Sequence, residues 1–210
     1  MTPADPRRRV VLVLARHHAA AAAPPGVDPA ALARAALADT YEVVADLVGV
    51  RAGIAGDAGL AEVLWPGALH LPDDSVAGLA AELDGAADEL VVVAGDAPDL
   101  PGLVLAKLFK VLHRCDAAVA PERGGPGCVA LGVRLPLADW LVAEDLGLDA
   151  DVPTRLAVAA PRRAAFQTTP GWHRLRTPES LAQLDAGLEG WEETRLLLTD
   201  SGVALGRARR

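Results

Sequence analysis

The stretch that decides the fold is Leu90-Val91-Val92-Val93-Ala94-Gly95-Asp96. Its apolar part is continuous rather than alternating, which is typical of a strand buried on both faces of a parallel sheet. It ends on a glycine and a carboxylate. A second continuous apolar run covers residues 10–15. Together these runs predict the buried centre of a mainly parallel sheet.

Helical patterns alternate with further apolar runs on both sides of this stretch. Asp28 followed by Pro29 is typical of an N-cap and a first helical residue, and predicts a helix to about residue 47. Thr177 and Pro178 repeat that signature and predict a helix to about residue 188. Ser75 is placed to cap a helix that ends at residue 83. Further predicted strands are 48–54, 68–71, 117–120, 128–133 and 164–168, and further predicted helices are 57–64, 101–114, 136–145, 152–159 and 191–198.

This alternation predicts an α/β fold with three layers, α/β/α, around a mainly parallel sheet of about six or seven strands. The sharp turn at residues 124–127 predicts that the strands on either side of it form a hairpin-like pair. We expect a single α/β domain over residues 10–199. Arginines cluster at both ends of the chain, and the end lacks apolar periodicity, so disordered tails are expected at 1–9 and 200–210.

Composition and charge exclude several classes of protein. Apolar residues make up 51% of the 210 residues, which excludes wholesale disorder. The formal charge is −8, and Lys and Arg form no basic face within the chain, so we expect no nucleic-acid partner. No apolar run approaches the ~18 residues of a membrane-spanning helix. The six-residue run at 10–15 is also too short for the core of a secretory signal, which favours the cytoplasm.

The two cysteines, Cys115 and Cys128, do not form a disulfide framework. We interpret them as buried thiols of a protein in a reducing compartment. His113 precedes Cys115 closely, but no further ligands at regular spacing complete a zinc site.

Asp96 is the leading candidate for a functional residue. Ligands of open parallel sheets bind beyond the carboxyl ends of the strands, and Asp96 directly follows the most apolar strand. A carboxylate there can hold a divalent cation that bridges a diphosphate. Aspartate is also a preferred turn residue, so a capping role is equally compatible with the sequence.

Several familiar catalytic motifs are absent from the sequence. A phosphatase with an aspartate nucleophile needs a second aspartate two positions after Asp96, where this chain has Pro98. The turn after residue 15 is not glycine-rich, so neither a P-loop nor a dinucleotide fingerprint is present. The Gly-x-Ser-x-Gly elbow of serine hydrolases does not occur.

The segment Asp96-Ala97-Pro98-Asp99-Leu100 resembles the Asp-Cys-Pro-Asp-Leu motif of a bacterial family of glycosyltransferase-A-like proteins of largely unknown function. That family is related to molybdenum-cofactor and phospholactate guanylyltransferases. The resemblance extends over most of residues 10–185, and the chain looks like a divergent member. It implies the fold of the nucleotide-diphospho-sugar transferase superfamily.

The resemblance also implies a site. Asp96 would hold Mg²⁺ or Mn²⁺, Glu122 would assist catalysis, and Arg16 would contact phosphate. The nucleotide would also lie against a glycine pair, Gly124 and Gly125. Two arginines, Arg123 and Arg176, stand where the family pattern has acidic residues.

Two functions follow from this implied site and from the positions where the chain departs from the family pattern. The first is a nucleotidyl- or glycosyl-transferase-like protein that acts on a nucleotide or nucleotide sugar. The alternative is a catalytically degenerate member that binds an anionic ligand or a protein partner. Replacing an acid by a cation removes a metal ligand, whereas an arginine can bind phosphate directly. Arg123 and Arg176 are therefore candidate phosphate contacts, and dependence on a metal would distinguish the two functions.

Overall fold

Seven strands form one mixed sheet within the residues that the computed structural model describes, namely 7–56, 64–144, 146–149, 151–203 and 205. In chain order they are β1 Arg9–Ala15, β2 Arg51–Gly56, β3 Leu69–Leu71, β4 Glu89–Ala94, β5 Ala117–Pro121, β6 Cys128–Arg134 and β7 Phe166–Thr168. The order across the sheet is β3-β2-β1-β4-β6-β5-β7. Strand β6 is antiparallel to β4 and β5, and the other pairs are parallel. The predicted α/β class with a mainly parallel sheet is confirmed, as is the hairpin-like pairing of β5 with β6.

Six α-helices lie in the described residues, two of them starting at the predicted caps Asp28 and Ser75. They are α1 Pro29–Ala45, α2 Val76–Glu82, α3 Gly102–Leu112, α4 Asp139–Val142, α5 Val152–Ala159 and α6 Glu192–Asp200, and two 3-10 helices cover His17–Ala22 and Pro178–Gln183. The carboxylate of Asp28 accepts hydrogen bonds from the first amides of α1, and the hydroxyl of Ser75 accepts one from the first turn of α2. Such side-chain acceptors satisfy amides that a helix leaves without partners.

Two predicted helices are wrong in length or type. The segment opened by Thr177 and Pro178 is a 3-10 helix that stops at Gln183, because the chain turns there and the amide of Asp185 donates a hydrogen bond to Asp99. The helix predicted over 136–145 shrinks to α4, because Ala138 is extended and packs with Leu137 against the core. The helix predicted over 57–64 lies almost wholly outside the described residues.

Side chains that alternate along the central strands form two cores, one on each face of the sheet. Leu12 and Val92 face a core covered by α2, α4 and α5, whereas Val13 and Val93 face a core covered by α1 and α3. This two-sided burial explains why the central strands are apolar throughout. A third cluster packs α6 and the two 3-10 helices against α1.

The structure describes part of each predicted tail, namely residues 7–9 at one end and residues 200–203 and 205 at the other. Arg9 is the first residue of β1 and pairs with the buried Glu89, and Arg7 also contacts Glu89. These arginines neutralise a carboxylate at the start of β4. At the other end, the amide of Val203 donates a hydrogen bond to the carbonyl of Leu198.

No helix in the described ranges has both the length and the hydropathy needed to cross a membrane. Cys115 and Cys128 are buried and unpaired, as predicted. Burial raises the pKa of Cys115 to about 11 and that of Cys128 to about 12. Both thiols are therefore protonated and inert at neutral pH. The cytoplasmic location stays a prediction.

Candidate functional site

The candidate site lies at the carboxyl edge of the sheet, where the strand order changes direction. From β1 the chain continues outward through β2 and β3, and it then returns to add β4 on the other side of β1. Ligands of open α/β sheets bind at such a switch point. Arg16 follows β1, Asp96 follows β4, and Glu122 follows β5. The loop after β7 brings Arg174 and Arg176 to the same edge, since both contact acidic residues of this group.

Asp96 forms a buried ion pair with Arg174. The Nε atom of Arg174 lies 2.6 Å from Oδ1 of Asp96, and its Nη2 atom lies 2.9 Å from Oδ2. Only 2% of the Arg174 side chain and 1% of the Asp96 side chain are exposed. Burial lowers the pKa of Arg174, but the charge of Asp96 and its hydrogen bonds raise it more, so the net shift is upward. In the observed arrangement both oxygens of Asp96 accept hydrogen bonds from this one guanidinium, so Asp96 acts as an ion-pair partner.

These residues do not fit a divalent cation at Asp96 in their observed arrangement. A metal ligand must offer an oxygen lone pair to the ion, and the guanidinium of Arg174 already holds both oxygens with a positive charge. Among the described residues, no group of three or more His, Cys, Asp or Glu side chains has the arrangement of a metal site. The Mg²⁺ or Mn²⁺ expected at Asp96 would have to displace a buried cation.

Asp149 lies at the centre of the basic side chains of this edge. Its Oδ1 atom accepts hydrogen bonds from Arg174, at 2.9 Å, and from Arg176. Its Oδ2 atom lies 3.2 Å from Nη1 of Arg16 and 3.3 Å from Nε2 of His18. Burial acts to raise the pKa of Asp149, but the neighbouring positive charges and the hydrogen bond from Arg176 outweigh it and lower the pKa to about 2. Asp149 is therefore ionised throughout the physiological pH range.

Glu122 and the two glycines beyond it pack as one turn. The Nε atom of Arg176 lies 3.3 Å from Oε1 of Glu122, without the geometry of a hydrogen bond. A Cβ atom on Gly125 would lie 2.6 Å from the carboxyl carbon of Glu122, and Gly124 has a φ of +86°. The positive φ of Gly124 favours glycine, whereas a side chain at Gly125 would meet the movable carboxyl end of Glu122. Contact of Gly124 and Gly125 with a nucleotide stays a prediction.

Arg123 lies apart from the other arginines. Its guanidinium stacks 5.0 Å above the ring centroid of Trp172. The indole Nε1 of Trp172 donates a hydrogen bond of 3.0 Å to Oδ1 of Asp99. Nε2 of His173 lies 2.8 Å from the same oxygen. Asp99 thus anchors the loop that follows β7, and Arg123 is an exposed cation at the rim of the site.

The structure brings four of the predicted site residues, Arg16, Asp96, Glu122 and Arg176, into one network. Two residues that join them, Arg174 and Asp149, were not predicted from the sequence. The alternation Arg174-Leu175-Arg176 was a usable signal, because an extended segment sends alternate side chains to one side. No sequence pattern pointed to Asp149 as a site residue, since it lies in a loop without a motif.

A scan against protein-family models and a search of curated proteins found no match for the chain. Solved structures do match it. A protein of Desulfovibrio desulfuricans G20, provisionally assigned as a nucleotide-diphospho-sugar transferase, is 19% identical and aligns over 92% of this chain and 97% of its own, with a TM-score of 0.68.

Two nucleotidyltransferases are similar at lower identity. CMP:2-keto-3-deoxy-manno-octonic acid synthetase, solved with CTP, is 14% identical and aligns over 92% of this chain and 99% of its own, with a TM-score of 0.51. The 4-diphosphocytidyl-2C-methyl-D-erythritol synthase of Anaerococcus prevotii DSM 20548 is 11% identical and aligns over 84% and 95%, with a TM-score of 0.54. At these identities the similarity concerns the fold alone. The chain therefore has the α/β fold of nucleotide-diphospho-sugar transferases and nucleotidyltransferases.

Proposed function

We propose that the protein binds a nucleotide or nucleotide sugar at the carboxyl edge of its sheet, and that arginines rather than a divalent metal hold the phosphates. The observation that carries this proposal is the ion pair of Arg174 with Asp96, which places a fixed positive charge on the carboxylate expected to bind the metal. In the observed arrangement, the guanidinium of Arg174 neutralises that carboxylate. The phosphates of the ligand then need positive charge from other side chains.

The accessible basic side chains of the network provide that charge. The Arg16 side chain is 30% exposed and that of Arg176 is 27% exposed. The buried Nε atom of Arg176 finds no hydrogen-bond acceptor among the described residues. A phosphate oxygen would satisfy this donor, and arginine binds phosphate through two parallel hydrogen bonds.

Metal-dependent nucleotidyl or glycosyl transfer is the second candidate. It is favoured by the gathering of Asp96, Glu122 and Asp149 around shared guanidinium groups at one edge of the sheet. For this chemistry, Arg174 would have to leave Asp96 so that a cation could replace it. Metal dependence of ligand binding therefore separates the two candidates.

The test is thermal unfolding with a panel of nucleotides and nucleotide sugars, in EDTA and in Mn²⁺. A ligand at 100 times its dissociation constant stabilises the protein by about 2.7 kcal/mol, which is easily measured. We expect stabilisation in EDTA that is lost in Arg176→Ala and kept in the matched control Arg163→Ala, an exposed arginine in the turn before β7.

Other outcomes contradict the proposal in different ways. Stabilisation that requires Mn²⁺, together with product formation from a nucleotide or nucleotide sugar, would establish the second candidate. Absence of stabilisation by every nucleotide in both conditions would overturn both functions and leave a role in protein interaction.

A further inference from the structure

The carboxylate of Asp149 lies among the basic side chains of the candidate site. Among the described residues, each of its oxygens contacts two basic groups, which come from the loops after β1 and after β7. Surrounding one anion with several arginines from separate segments is how proteins bind phosphate. The anion present here belongs to the protein itself.

Asp149 is also the shared member of the network. Each arginine that contacts Asp149 has another acidic partner in the described part of the chain, so none would lose its last partner if Asp149 moved away. The pairs are Arg16 with Asp74 at 2.9 Å, Arg174 with Asp96 at 2.6 Å, and Arg176 with Glu122 at 3.3 Å.

The main chain beside Asp149 is held in place. The carbonyl of Leu148 accepts a hydrogen bond of 2.9 Å from the amide of Cys128. A Cβ atom on Gly127 would lie 2.5 Å from that carbonyl oxygen, so the two segments are in close contact. The Asp149 side chain is 30% exposed. Rotation of this side chain toward solvent would therefore free the basic groups without displacing the main chain.

We propose that Asp149 is an internal competitor that imitates a ligand phosphate, and that a phosphate-bearing ligand binds by displacing it from Arg16, His18 and Arg176. This inference rests on the proposed function, because the same arginines hold the ligand. A phosphate carries more negative charge and more acceptor oxygens than one carboxylate, so it interacts more strongly with this cluster. A simple carboxylate lacks that advantage, and the site selects phosphates over carboxylates.

The experiment measures binding of inorganic pyrophosphate by calorimetry in EDTA. It compares wild type, Asp149→Asn and the control Asp151→Asn, an equal charge change at the exposed N-cap of α5. The apparent affinity of a ligand is reduced by the fraction of molecules in which its site is blocked. We expect Asp149→Asn to bind about 10-fold more tightly than wild type or more. Asp151→Asn should bind as wild type does.

The outcomes separate this inference from the proposed function. Equal or weaker binding by a folded Asp149→Asn variant overturns the competitor role, while nucleotide binding by wild type would still uphold the proposed function. Pyrophosphate binding that is tightened in Asp149→Asn, with no nucleotide bound by any variant, upholds the competitor and overturns the proposed function. Absence of pyrophosphate binding in all variants overturns the competitor role, and the nucleotide panel then decides the proposed function separately.

A crystal structure of the wild-type protein with pyrophosphate provides a second test if the variant fails to fold. We expect the anion between Arg16 and Arg176, with the Asp149 side chain rotated out. An anion bound elsewhere, with Asp149 still in contact with these arginines, overturns the competitor role.

Discussion

The guanidinium of Arg174 is enclosed by the protein and donates hydrogen bonds to Asp96, Asp149 and the carbonyl of Cys128. A buried charge pair is a modest source of stability, since both charges lose their hydration. Removing one partner is much more harmful, because the other charge then stays buried without compensation. The pair therefore constrains the site more than it stabilises the fold.

Substitution of Asp96 tests whether removing one partner of the ion pair destabilises the fold strongly. We expect Asp96→Ala to lower the free energy of unfolding by about 3–5 kcal/mol, because the buried Arg174 loses its bidentate partner and keeps only the partly exposed Asp149 as a counter-charge. The true N-cap Asp28 is the matched control, and Asp28→Ala should lose only ~1 kcal/mol. Urea denaturation measures both values.

The double variant Asp96→Asn/Arg174→Met provides the complementary control. It removes both charges, so it should be more stable than Asp96→Ala. A loss of only ~1 kcal/mol in Asp96→Ala, equal to that of Asp28→Ala, would contradict the role of the ion pair and favour a simple capping role.

At the level of elements, α1 supplies the cap of α6. Asp39 lies within α1, is fully buried, and accepts hydrogen bonds from the amides of Glu193 at 3.1 Å and Thr194 at 2.8 Å. Burial raises the pKa of Asp39 to about 6, because the hydrogen bonds to α6 only partly offset the desolvation. The contact between α1 and α6 therefore includes a carboxyl group, that of Asp39, whose pKa is above its ordinary value.

This pKa predicts a pH dependence of stability. Between an unfolded value near 3.8 and a folded value of about 6, the native state holds a proton on Asp39 that the unfolded state has released. Stability from this group is thus present at low pH and falls as pH rises through that window, by up to about 3 kcal/mol. Asp39→Asn keeps an acceptor for α6 but cannot titrate.

The measurement is urea denaturation of wild type and Asp39→Asn from pH 3.5 to 7. We expect the difference in stability between the two proteins to change across the window in favour of the variant as pH rises. Parallel profiles for wild type and Asp39→Asn would show that Asp39 is not the titrating group.

For the whole molecule, the two cysteines lie in the cores on opposite faces of the sheet, so the reactivity of each thiol reports on the opening of its own core. Cys128 belongs to the core under α2, α4 and α5, and Cys115 belongs to the core under α1 and α3. Their raised pKa values and their burial both prevent reaction in the native state. Labelling of each thiol therefore requires that its own core open.

We expect both thiols to stay unlabelled by iodoacetamide in the native protein at pH 8. Both should become reactive together over the urea unfolding transition, because one sheet joins the two cores and a shared sheet favours cooperative unfolding. An added thiol in Ser201→Cys, an exposed position, should react at once and verify the reagent. Reaction of one native cysteine well before the other would show that the two faces unfold separately.

Much of the architecture was predictable from the sequence because its causes are local. The apolar run of β4 follows from burial on both faces, and Asp28-Pro29 starts α1 through hydrogen bonds to its own first turn. The failures lie where a distant contact overrides the local pattern. The segment after Thr177 leaves its helical course at Gln183, where Asp99 binds the amide of Asp185.

From the strand pattern alone, the sequence predicts that Asp96 lies at the carboxyl edge of the sheet, whereas Arg16 and Glu122 entered the predicted site through the family resemblance. The charged partners of these residues could not be predicted, because they depend on the tertiary structure. Arg174 is 78 positions from Asp96, and Asp149 is 133 positions from Arg16. No periodicity links residues so far apart, because charge pairing depends on the distances that the folded chain imposes and not on spacing along it.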